Sequence, residues 1–100
     1  MENKKVSLVV IATPNSNESE SVNDYIEGVL PQLISAGGKL IKRLMVDQII
    51  HGKPGGFILI MDFDSEQAIK SVFESVDYEA FIPVRNRAFE EINIQITNSF

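Results

Sequence analysis

The run FILIMDF, residues 57–63, is apolar on both of its alternating faces. Successive side chains of a strand point to opposite sides of a sheet, so Phe57, Leu59, Met61 and Phe63 share one face while Ile58, Ile60 and Asp62 share the other. A second run, EEINIQITN, sets Ile92, Ile94 and Ile96 against Asn93, Gln95 and Thr97. The uniformly apolar sets belong under helices, and by the same parity Val6, Leu8 and Val10 of a first strand join them. The opposite face then carries Val9, Ile11, Ile58 and Ile60 beside Ser7, Asp62, Asn93 and Gln95. That mixture is too apolar for water and too polar for an ordinary core. It suits a sheet that packs on its two-fold mate around a partly polar cavity.

The segments between these strands supply the helices. Val6 to Ala12 ends at the turn formers TPNSN, and the next stretch, ESESVNDYIEGVLPQLISAGG, repeats apolar residues at steps of three and four from Val22 to Ile34. Gly37 and Gly38 close that helix, and Pro31 inside it removes a backbone donor at a cost of about 3 kcal/mol unless the surroundings adapt. Lys39 to His51 reads as a long strand with room for a bulge, although both of its parities mix apolar and charged residues. GKPGG reads as a hairpin turn; it lacks the spacing of a phosphate loop. DSEQAIKSVFES opens with Asp64 or Ser65 as N-cap, and a second helical piece from Ser75 to Phe89 leads into the last strand. The order is βαββαβ: an α+β, ferredoxin-like plan with a four-stranded antiparallel sheet and both helices on one face. At 100 residues the chain is expected to form one domain over 1–100.

Composition narrows the function classes. The net charge is −5, and no Lys/Arg-rich run longer than a pair occurs, so nucleic acid is excluded as a main partner. There is no cysteine and only one histidine, which removes disulfides, thiolate zinc sites and a cysteine nucleophile, and no metal is expected. The longest apolar runs, VSLVVIA and FILIM, fall short of the roughly 20 residues a membrane span needs. MENKK and the run after it show no cleavage pattern of a signal peptide, so no membrane partner and a cytoplasmic location are expected.

From Met61 to Ile94 the chain reads MDFDSEQAIKSVFESVDYEAFIPVRNRAFEEINI. This resembles the C-terminal signature of a family of unknown function in the dimeric α+β barrel superfamily. The matching positions are Asp62 and Phe63 ending a strand, Ser65 at a helix start, Phe73 near its end, then Ser75, Asp77 and Tyr78, and finally Pro83 and Arg85. Tyr25, Pro31, Leu33 and AGGKLI extend the likeness to nearly the whole chain. The family usually has Glu and Trp where this chain has Asp62 and Phe73, and an acidic residue where it has TPNSN. The resemblance implies a dimeric α+β barrel, a homodimer packed sheet to sheet, and it implies no reaction.

Among individual residues, Asp62 ends a strand on the cavity face, where a carboxylate can serve as general acid or base; alternatively it forms a structural salt bridge to Arg85. Arg85 offers a planar donor fork for an anionic or enol oxygen, or anchors the helix end. Pro83 restricts Ile82, so that a fresh turn begins there and aims Arg85. Tyr78 offers a phenol to a ligand, or packs its ring under the sheet and bonds a backbone group. His51, ending strand two, is a proton shuttle only if it faces the cavity. Ser7 and Asn93 add polar groups on the same face for ligand binding. Arg87 and the acids at 18, 20, 24 and 27 read as solvated charges. Without tryptophan, and with one histidine, haem fits poorly; no cofactor is expected. The chain is therefore expected to bind a small anionic or aromatic metabolite in a helix–sheet cleft, with cofactor-independent acid–base chemistry by Asp62 and Arg85. The alternative is a non-enzymatic binding or interaction module whose polar residues serve dimer assembly.

Overall fold

A computed structural model describes residues 5–53 and 56–99. The chain runs β1 (Val6–Pro14), α1 (Ser19–Ser35), β2 (Lys39–Met45), β3 (Phe57–Phe63), α2 (Glu66–Phe73), α3 (Val76–Glu79), α4 (Ile82–Ala88) and β4 (Phe89–Thr97). The strands form one antiparallel sheet in the order β2-β3-β1-β4. This is the expected ferredoxin-like α+β fold with its helices on one face.

Each helix end has a local cause. The C-terminus of α1 closes through Gly37, whose φ of 98° only glycine adopts without strain. The Gly37 amide bonds the Ile34 carbonyl and the Gly38 amide bonds the Leu33 carbonyl, which satisfies two carbonyls of the last turn. Ser65 caps α2 by accepting from the Ala68 amide at 3.1 Å, and Ser75 caps α3 by accepting from the Tyr78 amide at 3.1 Å. Pro83 lies in the first turn of α4, where its missing N–H costs nothing. The second helical piece expected after Ser75 is thus two short helices rather than one.

The register sorts side chains into rows across the sheet. On the helix side, Leu40, Met61, Leu8 and Ile96 stand in one row; Arg43, Leu59, Val10 and Ile94 form the next; Met45, Phe57, Ala12 and Ile92 form the third. Leu8 and Met61 are fully buried there, as are Phe63, Ile69 and Tyr78. On the open side the rows are Lys39, Asp62, Ser7 and Thr97; then Lys42, Ile60, Val9 and Gln95; then Leu44, Ile58, Ile11 and Asn93. The parity read from β1, β3 and β4 holds throughout.

Strand two departs from expectation. It ends at Met45 rather than His51, because β3 begins only at Phe57 and residues 46–51 have no strand to pair with beyond one bond from the Val46 amide to the Gly56 carbonyl. The bulge does occur: the register shifts between Leu40 and Lys42, which turns Arg43 to the helix side. The turn expected at Gly52–Gly56 includes residues 54 and 55, which lie outside the described residues.

Candidate functional site

The six residues singled out from the sequence fall into three groups. Ser7, Asp62 and Asn93 lie on the open face. There the Ser7 hydroxyl donates to Asp62 Oδ1 at 2.7 Å, and the Thr97 hydroxyl donates to the Ser7 carbonyl at 3.0 Å. Asn93 is exposed at the other end of the face, paired with Ile11. Tyr78 and Arg85 lie on the helix side. His51 is exposed in a bend after β2.

The expected pairing of Asp62 with Arg85, as salt bridge or as joint catalytic site, does not form within the chain. Asp62 sits between Met61 and Phe63, both buried under the helices, so the pleat turns its carboxylate away from them. Arg85 instead donates through Nη1 to the Tyr78 hydroxyl at 3.1 Å, and its guanidinium carbon stands 6.0 Å from the Tyr78 ring centre. Arg87 is exposed, as expected, and also reaches toward α1: its Nε lies 3.6 Å from Glu18 Oε1 and donates to the Ser21 hydroxyl at 3.1 Å.

Tyr78 takes the packing role, with its hydroxyl bonded to side chains rather than to backbone. Its hydroxyl is 2.7 Å from that of Tyr25, and either can donate. Phe73 meets its ring edge-on at 4.7 Å, and Tyr25 in turn meets Phe89 at 5.4 Å. The buried chain therefore runs from the Arg85 cation through two phenols. Burial raises the pKa of the Tyr25 hydroxyl far above its ordinary 10.0; the Tyr78 hydrogen bond and the Tyr78 charge act in the same direction, against an opposing pull from Arg85. The folded state thus keeps Tyr25 protonated where the unfolded chain would ionise. Its contribution is intact below pH 10 and is lost as pH rises above that value, by about 1.4 kcal/mol per pH unit. Denaturation midpoints measured from pH 9 to 11.5 should fall with this extra slope in the wild type, and Tyr25→Phe should remove it.

Tyr25 also lines an apolar cavity, a space of about 390 Å³ between α1 and the helix side of the sheet. Its floor is formed by the second and third rows of the sheet, including Leu59, Val10 and Ile94, and its roof by Ile26, Val29 and Leu30 of α1. This is near the lower end of volumes that hold small ligands, roughly 300–1,000 Å³. Asn23 and Arg43 bring polar groups to its exposed rim. None of the six residues singled out from the sequence lines it. The cleft lies where a helix–sheet site was expected, but its lining is almost wholly apolar.

Residues 8–99 match the family profile described as a domain of unknown function, DUF1330. The chain belongs to the DUF1330 family. Among curated proteins nothing matches it. Solved structures similar to it include a protein of unknown function from Rhodopseudomonas palustris, with a TM-score of 0.84 at 13% identity over 99% of this chain and 85% of that one. A dimeric protein of unknown function and ferredoxin-like fold from Bacteroides fragilis has a TM-score of 0.61 at 16% identity, covering 95% of this chain and 96% of that one. A putative antibiotic biosynthesis monooxygenase from Nitrosomonas europaea has a TM-score of 0.69 at 13% identity, covering all of this DUF1330 chain and 94% of its own. At such identities the likeness is one of fold. Among the described residues no helix is long and apolar enough to cross a membrane, and no group of three or more His, Asp or Glu side chains is arranged to hold a metal.

Proposed function

We propose that this DUF1330 chain is a small-molecule-binding domain that works as a homodimer and takes an apolar or aromatic compound into the space between α1 and the sheet. The cavity carries the proposal: a volume of about 390 Å³ walled by aliphatic and aromatic side chains gains free energy when an apolar body displaces water from it. Acid–base chemistry joining Asp62 to Arg85 is not part of the proposal, since a ligand in this cavity meets neither.

The dimer draws on the open face. Ile11 and Leu44 are 36% and 42% exposed there, beside half-buried Val9, Ile58 and Ile60, a contiguous apolar area that a second copy would cover. The sheet edges are complementary as well. The free edge strand β2 carries Lys39 and Lys42 on the open face with no acid, while the other edge strand, β4, carries Glu90 and Glu91 with no base. Two chains related by a two-fold axis can bring each basic edge to an acidic one. The dimeric relative from Bacteroides fragilis has the same fold. In a second reading the Ser7–Asp62 hydrogen bond and its neighbours serve assembly alone and the cavity stays empty.

Calorimetric titration with 2-naphthamide, a neutral aromatic probe, separates the two. The wild type should bind it, Val10→Phe on the cavity floor should weaken binding by about tenfold or more, and Ile11→Phe on the open face should leave it unchanged. Equal binding by the wild type and Val10→Phe, or no binding by either, would overturn the cavity assignment.

A further inference from the structure

Resting on the cavity reading, we infer that the ligand is a hydrophobic monocarboxylate, with Arg43 as the residue that binds its carboxylate. The sheet's rows carry the inference. Arg43 stands at the β2 end of the helix-side row Arg43, Leu59, Val10 and Ile94, and all four residues line the cavity. It is the one cation among the residues lining that space. It reaches this position only because the bulge between Leu40 and Lys42 shifts the register; an unbulged β2 would turn it to the open face.

Arg43 has no ion-pair partner among the described residues, and no acidic side chain lines the cavity. The guanidinium therefore keeps its donor fork for a ligand. Its planar geometry matches a carboxylate through two parallel hydrogen bonds. From the α1 side, Asn23 lines the same cavity and brings an amide donor to the rim. An apolar interior with a single cation at its exposed edge selects an amphipathic molecule: the apolar body enters and the anionic end stays at the mouth. A neutral hydrocarbon leaves Arg43 unused, while a dianion brings a second charge with no partner in the lining.

An inward-pointing charge on an edge strand also discourages edge-to-edge aggregation, so the experiment has to separate ligand recognition from that role. The probes are 2-naphthoate and its neutral isostere 2-naphthamide, titrated calorimetrically into wild type and into Arg43→Gln, with Lys42→Gln on the neighbouring open-face position as the charge control. Wild type should bind the carboxylate about tenfold more tightly than the amide. Arg43→Gln should bring the two affinities together by weakening the carboxylate alone, and Lys42→Gln should keep the wild-type preference. Equal affinity of wild type for the two probes would overturn the carboxylate assignment while leaving the cavity reading intact. A preference that survives Arg43→Gln would overturn the role of Arg43. Failure of both probes to bind the wild type would overturn the cavity reading and this inference together.

Discussion

Tyr78→Ala is expected to remove a large share of the domain's stability. Tyr78 is only 2% exposed and joins Phe73, Tyr25 and Arg85. Truncating a buried aromatic ring to alanine costs about 3–5 kcal/mol through lost burial and the cavity left behind. A domain of this length holds on the order of 5–15 kcal/mol in total. The loss here also strips a hydrogen-bond partner from the Tyr25 hydroxyl and an acceptor from the Arg85 guanidinium. Tyr78→Phe isolates that polar part, because it keeps the ring and removes only the oxygen, at an expected cost of about 1–3 kcal/mol. Urea denaturation of the two variants should therefore give a midpoint far below wild type for Tyr78→Ala and an intermediate one for Tyr78→Phe. If the two variants were equally mild, Tyr78 would not hold the helix layer to the core.

Ile60→Asp should convert a dimer to a monomer while leaving the fold intact. Ile60 lies in the middle row of the open face, between Val9 and Lys42. In the proposed dimer a carboxylate there would meet its own two-fold mate's apolar surface, and an unpaired charge buried in an interface costs several kcal/mol. In the isolated chain the same carboxylate stays hydrated, so the folded core loses little. Light scattering at micromolar concentration should give twice the chain mass of 11.2 kDa for wild type and the single mass for the variant. A monomeric wild type would contradict the use of this face for assembly.

How much of this was legible in the sequence differs by element. The alternation in FILIMDF and in EEINIQIT assigned inner and outer faces correctly, because the period of a strand is two whatever surrounds it. At β2 the alternation leaves the facing open, since both parities mix apolar and charged residues and the bulge at Ile41 conceals that Arg43 faces the helices. Nothing in KLIKRLM marks which residue will bulge; the register with β3 decides it. The run IIH continues the β-branched character of β2 as far as His51, yet strand length depends on a partner, and β3 supplies none beyond Met45.

The candidate site was less legible than the fold. Asp62 and Arg85 belong to one sequence signature, but a signature does not give the side of the sheet on which each member lies. The direction in which α4 turns Arg85 is set by tertiary packing: Phe81, at its N-cap, lies against Gly28 of α1 so closely that a Cβ there would stand 2.1 Å from the ring. Tyr25 was visible in the helical stripe of α1 as one more apolar position. Its hydroxyl gained a partner only when α3 brought Tyr78 across to it.

The most direct test of the central claim is a methyl-labelled NMR titration of the protein with 2-naphthoate. The account predicts that shift changes concentrate at the methyl groups of Val10, Val29, Leu30, Leu59 and Ile94, which line the cavity, with those of Val9, Ile11 and Ile60, which do not, unmoved. Changes confined to the second set, or none at either, would contradict it.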